Sequence, residues 1–270
     1  MRVRELFEQA KAEDRSLFVA YLTAGDPTLE ASQGFVEALA RAGADLIELG
    51  VPYSDPVADG PTNMKAADRA LKNGTSLKDV LALSAGLRAK GVKTPFVLFT
   101  YYNPIFKMGH DEFVSLAARS GIDAVLLVDL PPEEASELRT GLAREKVGTV
   151  FLASPTTPDS RLGLIDRAST EFVYYVSRLG VTGAQQALSA DLAGEVARVK
   201  RAVKGPVAVG FGISTPEQAA TVARVADAVV VGSAIVKKIE DNTDPARARA
   251  AIEEFAGALV KATRSARERK

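Results

Sequence analysis

Eight short runs rich in Val, Ile, Leu, Tyr and Phe recur along the chain, separated by Ala-, Leu-, Glu-, Lys- and Arg-rich stretches, and this alternation restricts the fold more than any other feature. Strands are expected at 17–22, 45–49, 95–100, 124–128, 147–152, 171–176, 207–209 and 228–231. The stretches 29–42, 76–90, 132–145 and 190–203 space their apolar residues as helices packed on one side do. Eight strand–helix units in 270 residues favour a closed parallel barrel over an open doubly wound sheet. The predicted fold class is α/β, a (β/α)8 or TIM barrel. It forms a single domain over 1–270, with an extra helix before the first strand and a solvated, frayed tail from about Arg264. Several strands run into turn-forming residues, as at Gly50-Val51-Pro52, Asn103-Pro104 and Asp129-Leu130-Pro131, which lead the chain into loops.

Charge and composition narrow the chemistry. Lys plus Arg and Asp plus Glu both number 34, so no basic field gathers nucleic acid or an anionic membrane surface. The absence of cysteine removes disulfides, thiolate metal sites and a cysteine nucleophile together. His110 is the only histidine and stands where a helix is expected to start, beside Gly109 and before Asp111, so neither a His-based triad nor a His-rich metal site is available. No metal is expected. Residues 1–15 lack the apolar stretch of a signal peptide, and no apolar run approaches the ~20 residues that cross a bilayer. No membrane association and a cytoplasmic location are the corresponding expectations.

Glycines gather after the last strands. The segments 207–214 and 230–236 each carry a β run into glycine and then a helix, at the place where barrels commonly hold an anion. Gly212 lets backbone approach a ligand oxygen with no Cβ in the way, and Gly232-Ser233 opens a short helix whose free N–H groups and dipole favour a phosphate. Ser233 serves either as a cap or as a donor to the ligand. Gly180-Val-Thr-Gly183 follows the sixth strand and can close on the same anion. Each glycine alone is equally well read as a tight turn, but three in consecutive loops of one barrel end favour binding. A dinucleotide fingerprint fails because its third glycine would fall at Thr215, and no Gly-Lys-Ser/Thr run supports a nucleotide P-loop.

The strand Asp45-Leu-Ile-Glu48-Leu-Gly50 places Leu46 and Glu48 on one face and Ile47 and Leu49 on the other. In a barrel one face meets the interior and the other the helices, so Glu48 is buried or half buried either way. Such a carboxyl must be paired, protonated or used, and the strand alone leaves open whether an Arg or Lys pairs it or catalysis uses it. The following loop holds Asp55 and Asp59 among prolines and a glycine; either is a fixed acid or a helix cap, the cap being the stronger reading for Asp55.

At these residues the chain resembles the α subunit of tryptophan synthase. The resemblance rests on Tyr21-Leu-Thr-Ala-Gly25-Asp-Pro27, Ile47-Glu-Leu-Gly-Val-Pro-Tyr-Ser-Asp-Pro56, Ala58-Asp-Gly-Pro61, Tyr102-Asn-Pro104, Asp129-Leu-Pro131, Tyr174, Ser177-Arg178, Gly180-Val-Thr-Gly183, Gly210-Phe-Gly-Ile-Ser214 and Val231-Gly-Ser-Ala-Ile-Val236, in the family's order over nearly the whole chain. It implies a barrel lyase that splits indole-3-glycerol phosphate into indole and glyceraldehyde 3-phosphate by a retro-aldol reaction. By the same resemblance Glu48 is the catalytic glutamate and Asp59 the catalytic aspartate. Tyr174, Thr182, Gly183, Phe211, Gly212, Gly232 and Ser233 then contact substrate, with 178–183 as a lid whose Thr182 meets Asp59 on closure. Asp55, Pro56, Asn103 and Pro104 face a β subunit that carries pyridoxal phosphate, in an α2β2 heterotetramer, and this chain holds no cofactor. One departure stands out: Asn63-Met64 replaces the usual Ile-Gln pair, whose isoleucine lines the indole pocket.

Three other readings remain: a stand-alone lyase that releases free indole, another phosphosugar barrel enzyme such as an isomerase, and a non-catalytic barrel that only activates the β subunit. Intact Glu48 and Asp59 argue against the last.

Overall fold

The computed structural model describes residues 3–177, 191–210 and 212–267. Its strands are β1 Leu17–Thr23, β2 Leu46–Gly50, β3 Phe96–Thr100, β4 Ala124–Leu127, β5 Gly148–Ala153, β6 Val173–Val176, β7 Val207–Gly210 and β8 Ala228–Val231. They pair in parallel, in chain order, and β8 closes on β1, giving the closed (β/α)8 barrel that the alternation predicts. The helices among the described residues are α1 Val3–Ala12, α2 Leu29–Arg41, α3 Pro61–Lys72, α4 Leu77–Ala89, α5 Tyr102–Met108, α6 His110–Arg119, α7 Ser136–Arg144, α8 Asp159–Ala168, α9 Leu192–Ala202, α10 Pro216–Ala223, α11 Ser233–Glu240 and α12 Pro245–Arg264.

The period-2 pattern of the strands sorts side chains into two cores. Leu17, Val19, Leu46, Val97, Ala124, Leu126, Val150, Phe172, Ala208 and Val230 point into the barrel, and Val3, Leu6, Phe7 and Ala10 of α1 plug its amino end, where Phe7 meets Phe172 at 5.3 Å. The alternate residues, such as Ile47, Leu49, Leu98 and Val209, pack outward against the helices. Burying each of these larger side chains contributes roughly 1.5–3 kcal/mol, which is what holds the helical ring to the sheet. Leu46 lies in the inner set and Ile47 and Leu49 in the outer, so the face shared by Leu46 and Glu48 is the interior one.

Two segments depart from the simple alternation. Asn103-Pro104, read from sequence as a turn into a loop, instead forms the first turn of α5. Proline fits there because first-turn N–H groups have no intrahelical acceptor, and Asp129 Oδ1 accepts from the Tyr102 amide at 2.7 Å. The loop after β2 likewise ends in a helix, α3, that begins at Pro61. The extra helix before β1 is present as α1. Beyond α12 the chain remains attached as far as Arg267, which donates to Ala223 O and Ala226 O at 2.9 and 2.7 Å, where the sequence suggests a frayed tail; 268–270 lie outside the described residues. No helix among the described residues is long and apolar enough to cross a membrane.

Candidate active site

The carboxyl ends of the strands collect most of the residues singled out from sequence. Glu48 is the third residue of β2, points into the barrel and has no solvent exposure. Neither carboxyl oxygen has a hydrogen-bond partner among the described residues, and no Lys or Arg pairs with it. The pairing alternative for Glu48 is thereby excluded among these residues. Burial alone pushes its pKa up to about 8, so near neutrality the group is held largely as the neutral acid.

Tyr21 is opposite Glu48 in the β1–β2 register and is itself buried. Its ring meets Phe99 edge-on at 5.2 Å, and its hydroxyl lies 3.3 Å from Thr23 Oγ1. Tyr174 points inward from β6, and its phenol is raised well above the usual range by burial and then by the negative charge of Glu48, with Tyr21 and Asp59 adding to it. Two glycines make room for these phenols. A Cβ at Gly50 would strike the Tyr21 ring, and one at Gly210 would strike the Tyr174 hydroxyl. Gly210 therefore earns its place by admitting a tyrosine to the mouth.

Asp59 ends the β2–α3 loop and is largely buried. Its carboxyl is pushed up by burial and drawn back by the Tyr101 hydroxyl, which donates to Oδ2 at 2.9 Å, and by the Asn63 side chain. The same Tyr101 oxygen accepts from Ala58 N at 3.1 Å, so it fixes both the acid and its loop. Tyr53 stacks on the Tyr101 ring at 4.8 Å. Sequence reasoning missed Tyr101; its one signal was its position directly after β3, where barrel sites are built. The cap readings fail for both acids. The N-cap of α3 is Gly60 with no side-chain cap, while Asp55 is exposed and accepts from Ser54 Oγ at 2.6 Å.

On the opposite side of the mouth, Gly212 adopts φ +72°, a conformation that side chains rarely take. Gly232 is the N-cap of α11 and forms no side-chain cap, so the amides of Ser233 and Ala234, which have no intrahelical acceptor, make this a candidate anion site. The first backbone bonds of that turn are donated by Ile235 and Val236 to Gly232 O. A Cβ at Gly232 would lie 3.3 Å from Tyr21 Cδ1, which places this candidate anion site one aromatic ring away from the residue opposite Glu48. Arg178, Gly180, Thr182, Gly183 and Phe211 lie outside the described residues.

Asp55, Pro56, Asn103 and Pro104 sit together on the rim after β2 and β3, where Asn103 Nδ2 approaches Tyr53 Oη at 3.4 Å. Among the described residues the exposed large apolar side chains are Val57, Met64 and Phe106, and all three belong to the segments that follow β2 and β3. His110 opens α6, with Nε2 2.9 Å from the Tyr102 hydroxyl. No cluster of three or more metal-ligating side chains occurs among the described residues.

A family model described as "Tryptophan synthase alpha chain" matches residues 7–264. The tryptophan synthase alpha chain of Caulobacter sp. (strain K31) is 50% identical over 239 residues, covering 88% of this chain and 87% of that one. Among solved structures, Mycobacterium tuberculosis tryptophan synthase superposes with a TM-score of 0.88 at 36% identity, covering 97% of this chain and 98% of that one. A tryptophan synthase complex from Pyrococcus furiosus superposes with a TM-score of 0.82 at 38% identity, covering 92% and 98%.

Proposed function

The chain belongs to the tryptophan synthase alpha chain family, and from that premise we propose how its own residues carry out the family's reaction. It is a carbon–carbon lyase of tryptophan biosynthesis that cleaves indole-3-glycerol phosphate to indole and glyceraldehyde 3-phosphate, with a β subunit as its partner.

In our reading the neutral Glu48 carboxyl donates its proton to ring carbon C3 of the indole, giving an indolenine whose positive charge rests on N1. Ionised Asp59 faces N1–H and stabilises that charge in a site where water cannot screen it. The Glu48 carboxylate then takes the proton of the C3' hydroxyl. The O–H electrons become the new carbonyl, the C3–C3' bond breaks, and its electron pair returns to the ring as N1 is neutralised. Tyr101 orients Asp59, and Tyr21 and Tyr174 line the path between the acids. Gly212, Gly232 and Ser233 take the phosphate with backbone amides and a hydroxyl, together with Gly183 and Phe211. Closure of 178–183, bringing Thr182 to Asp59, would exclude water.

One observation carries this reading: a fully buried carboxyl whose two oxygens have no partner among the described residues. A barrel kept only to activate a partner would have no reason to tolerate it. The cofactor assignment follows the partner: pyridoxal phosphate belongs to the β subunit, and none is assigned to this chain. An α2β2 assembly is proposed, with Asp55, Pro56, Asn103 and Pro104 at the contact. Exposed Val57 and Phe106 beside them favour a covered rim over a stand-alone lyase. The chain is further proposed to be one domain working in the cytoplasm.

An indole-release assay on the purified chain, with and without a β subunit, tests the reading. Indole and glyceraldehyde 3-phosphate should appear in equal amounts, faster when the β subunit is present. Turnover of another phosphosugar without indole release would sink it.

A further inference from the structure

Asn63 lies on α3 at the helical spacing of Ala66, Ala67 and Ala70, all buried, so it continues the inward stripe of that helix towards the barrel mouth. Its side chain acts on Asp59 in the direction that favours the ionised carboxylate, which requires the amide N–H end to face that acid. The other end of the amide is Oδ1. That oxygen is buried and has no partner among the described residues. Among the described residues five buried side-chain atoms are left in this state; two are the Glu48 oxygens, and two others, on Arg139 and Thr263, belong to the outer helices α7 and α12. The fifth, Asn63 Oδ1, therefore joins Glu48 as an orphan of the mouth. A leucine of similar size would fill the position without stranding an acceptor, so an asparagine lowers stability there unless a ligand brings a donor.

We propose that Asn63 is a binding residue that reads the ring N–H of the substrate. Its Nδ2 holds Asp59, and its Oδ1 accepts the same ring N–H beside that carboxylate, so this chain selects a nitrogen-bearing ring over an apolar bicycle of equal shape. The proposal rests on the assignment of Asp59 to the ring nitrogen, and its test separates the two.

The probes are 3-(indol-3-yl)propyl phosphate, which cannot be cleaved, and its benzofuran counterpart, which lacks the N–H. Dissociation constants are measured for both on the full chain with its β subunit, in the wild type, Asn63→Leu and Asp59→Asn. The phosphate contribution cancels in the ratio of the two constants, as does any general loosening of the mouth. In Asn63→Leu the preference for indole should fall roughly 3- to 10-fold, the value of one neutral hydrogen bond. Asn63→Ala should give the same fall, which covers the case of a poorly folding leucine variant. Loss of the amide donor also moves the acid limb of kcat/KM to higher pH, because Asp59 then ionises less readily; a filler of space would leave that limb in place. A preference reduced by Asp59→Asn but unchanged by both Asn63 variants overturns the proposal alone. A preference unchanged in all variants overturns the Asp59 assignment with it.

Discussion

The acids at the amino end of the barrel and the two acids of the candidate site are held in opposite ways, while Asp26, fully buried after β1, keeps to the amino-end pattern by pairing with Arg69 at 2.7 and 2.8 Å. At the amino end, an acid precedes each even-numbered strand. Asp45, Asp123 and Asp227 each accept a backbone amide of the preceding strand, from Phe18, Phe96 and Val207 at 2.9, 2.7 and 2.8 Å. Glu171, before β6, accepts the Arg4 amide at 2.7 Å. Cations complete these sites: Arg15 and Arg264 on Asp45, Arg88 on Asp123 and Lys200 on Asp227. In the candidate site, among the described residues, Glu48 has no partner and Asp59 has the neutral Tyr101 and Asn63. A charge held in an ion pair is costly to strand when its partner is removed, whereas charge neutralised by a proton leaves that proton available for chemistry.

The comparison breaks most directly at Glu48. Replacing it with Gln removes the proton carrier but strands little, since no partner is left behind. Indole release should fall by roughly 10²- to 10⁴-fold, the usual contribution of a general acid–base group. The melting temperature should stay level or rise. A variant that retains turnover would place Glu48 among structural acids, and one that loses stability would reveal a partner for it.

The opposite end should give the opposite result. Arg88 donates to Asp123 at 2.7 Å and to the carbonyls of Gly121, Val92 and Thr94, and its guanidinium lies 3.9 Å over the Phe96 ring. Arg88→Ala strands an acid that is about a quarter exposed, at 28%. Stability in urea should fall by about 2–3 kcal/mol, less than for a fully buried pair, with kcat almost unchanged. A large loss of kcat without loss of stability would mean that the two ends are not separable.

How much of this contrast the sequence displays depends on its range along the chain. The strands are legible to within about two residues because β-branched runs stop at Gly, Asp or Pro, and the burial of Glu48 follows from alternation along a single strand. Its lack of a counter-ion was not legible, because any of 34 basic residues could have folded onto it. The helices α3 and α5 were hidden by prolines that read as loop formers yet suit a first helical turn. Tyr101 reaches Asp59 across 42 residues of sequence, a contact that only barrel closure creates. Gly212, Gly232 and Ser233 read from sequence as a candidate anion cradle because glycine before a helix start carries its own physical reason.

The smallest effect expected is also the most specific to a proton held in place of a counter-ion. If Glu48 must begin the cycle protonated, kcat/KM follows its neutral fraction, and with a pKa of about 8 it should fall roughly tenfold between pH 7 and pH 9. The same group ties stability to pH with a definite sign. Its folded pKa lies above the unfolded 4.5, so the native state binds the extra proton between those values. Wild-type stability relative to Glu48→Gln should therefore be greatest below pH 4.5 and decline as pH rises towards 8, whereas Arg88→Ala should show no such decline relative to wild type in that window. A kcat/KM that stays flat from pH 7 to 9, with a stability difference that does not change with pH, would mean that Glu48 is ionised in the folded chain and that its charge is balanced as at the amino end.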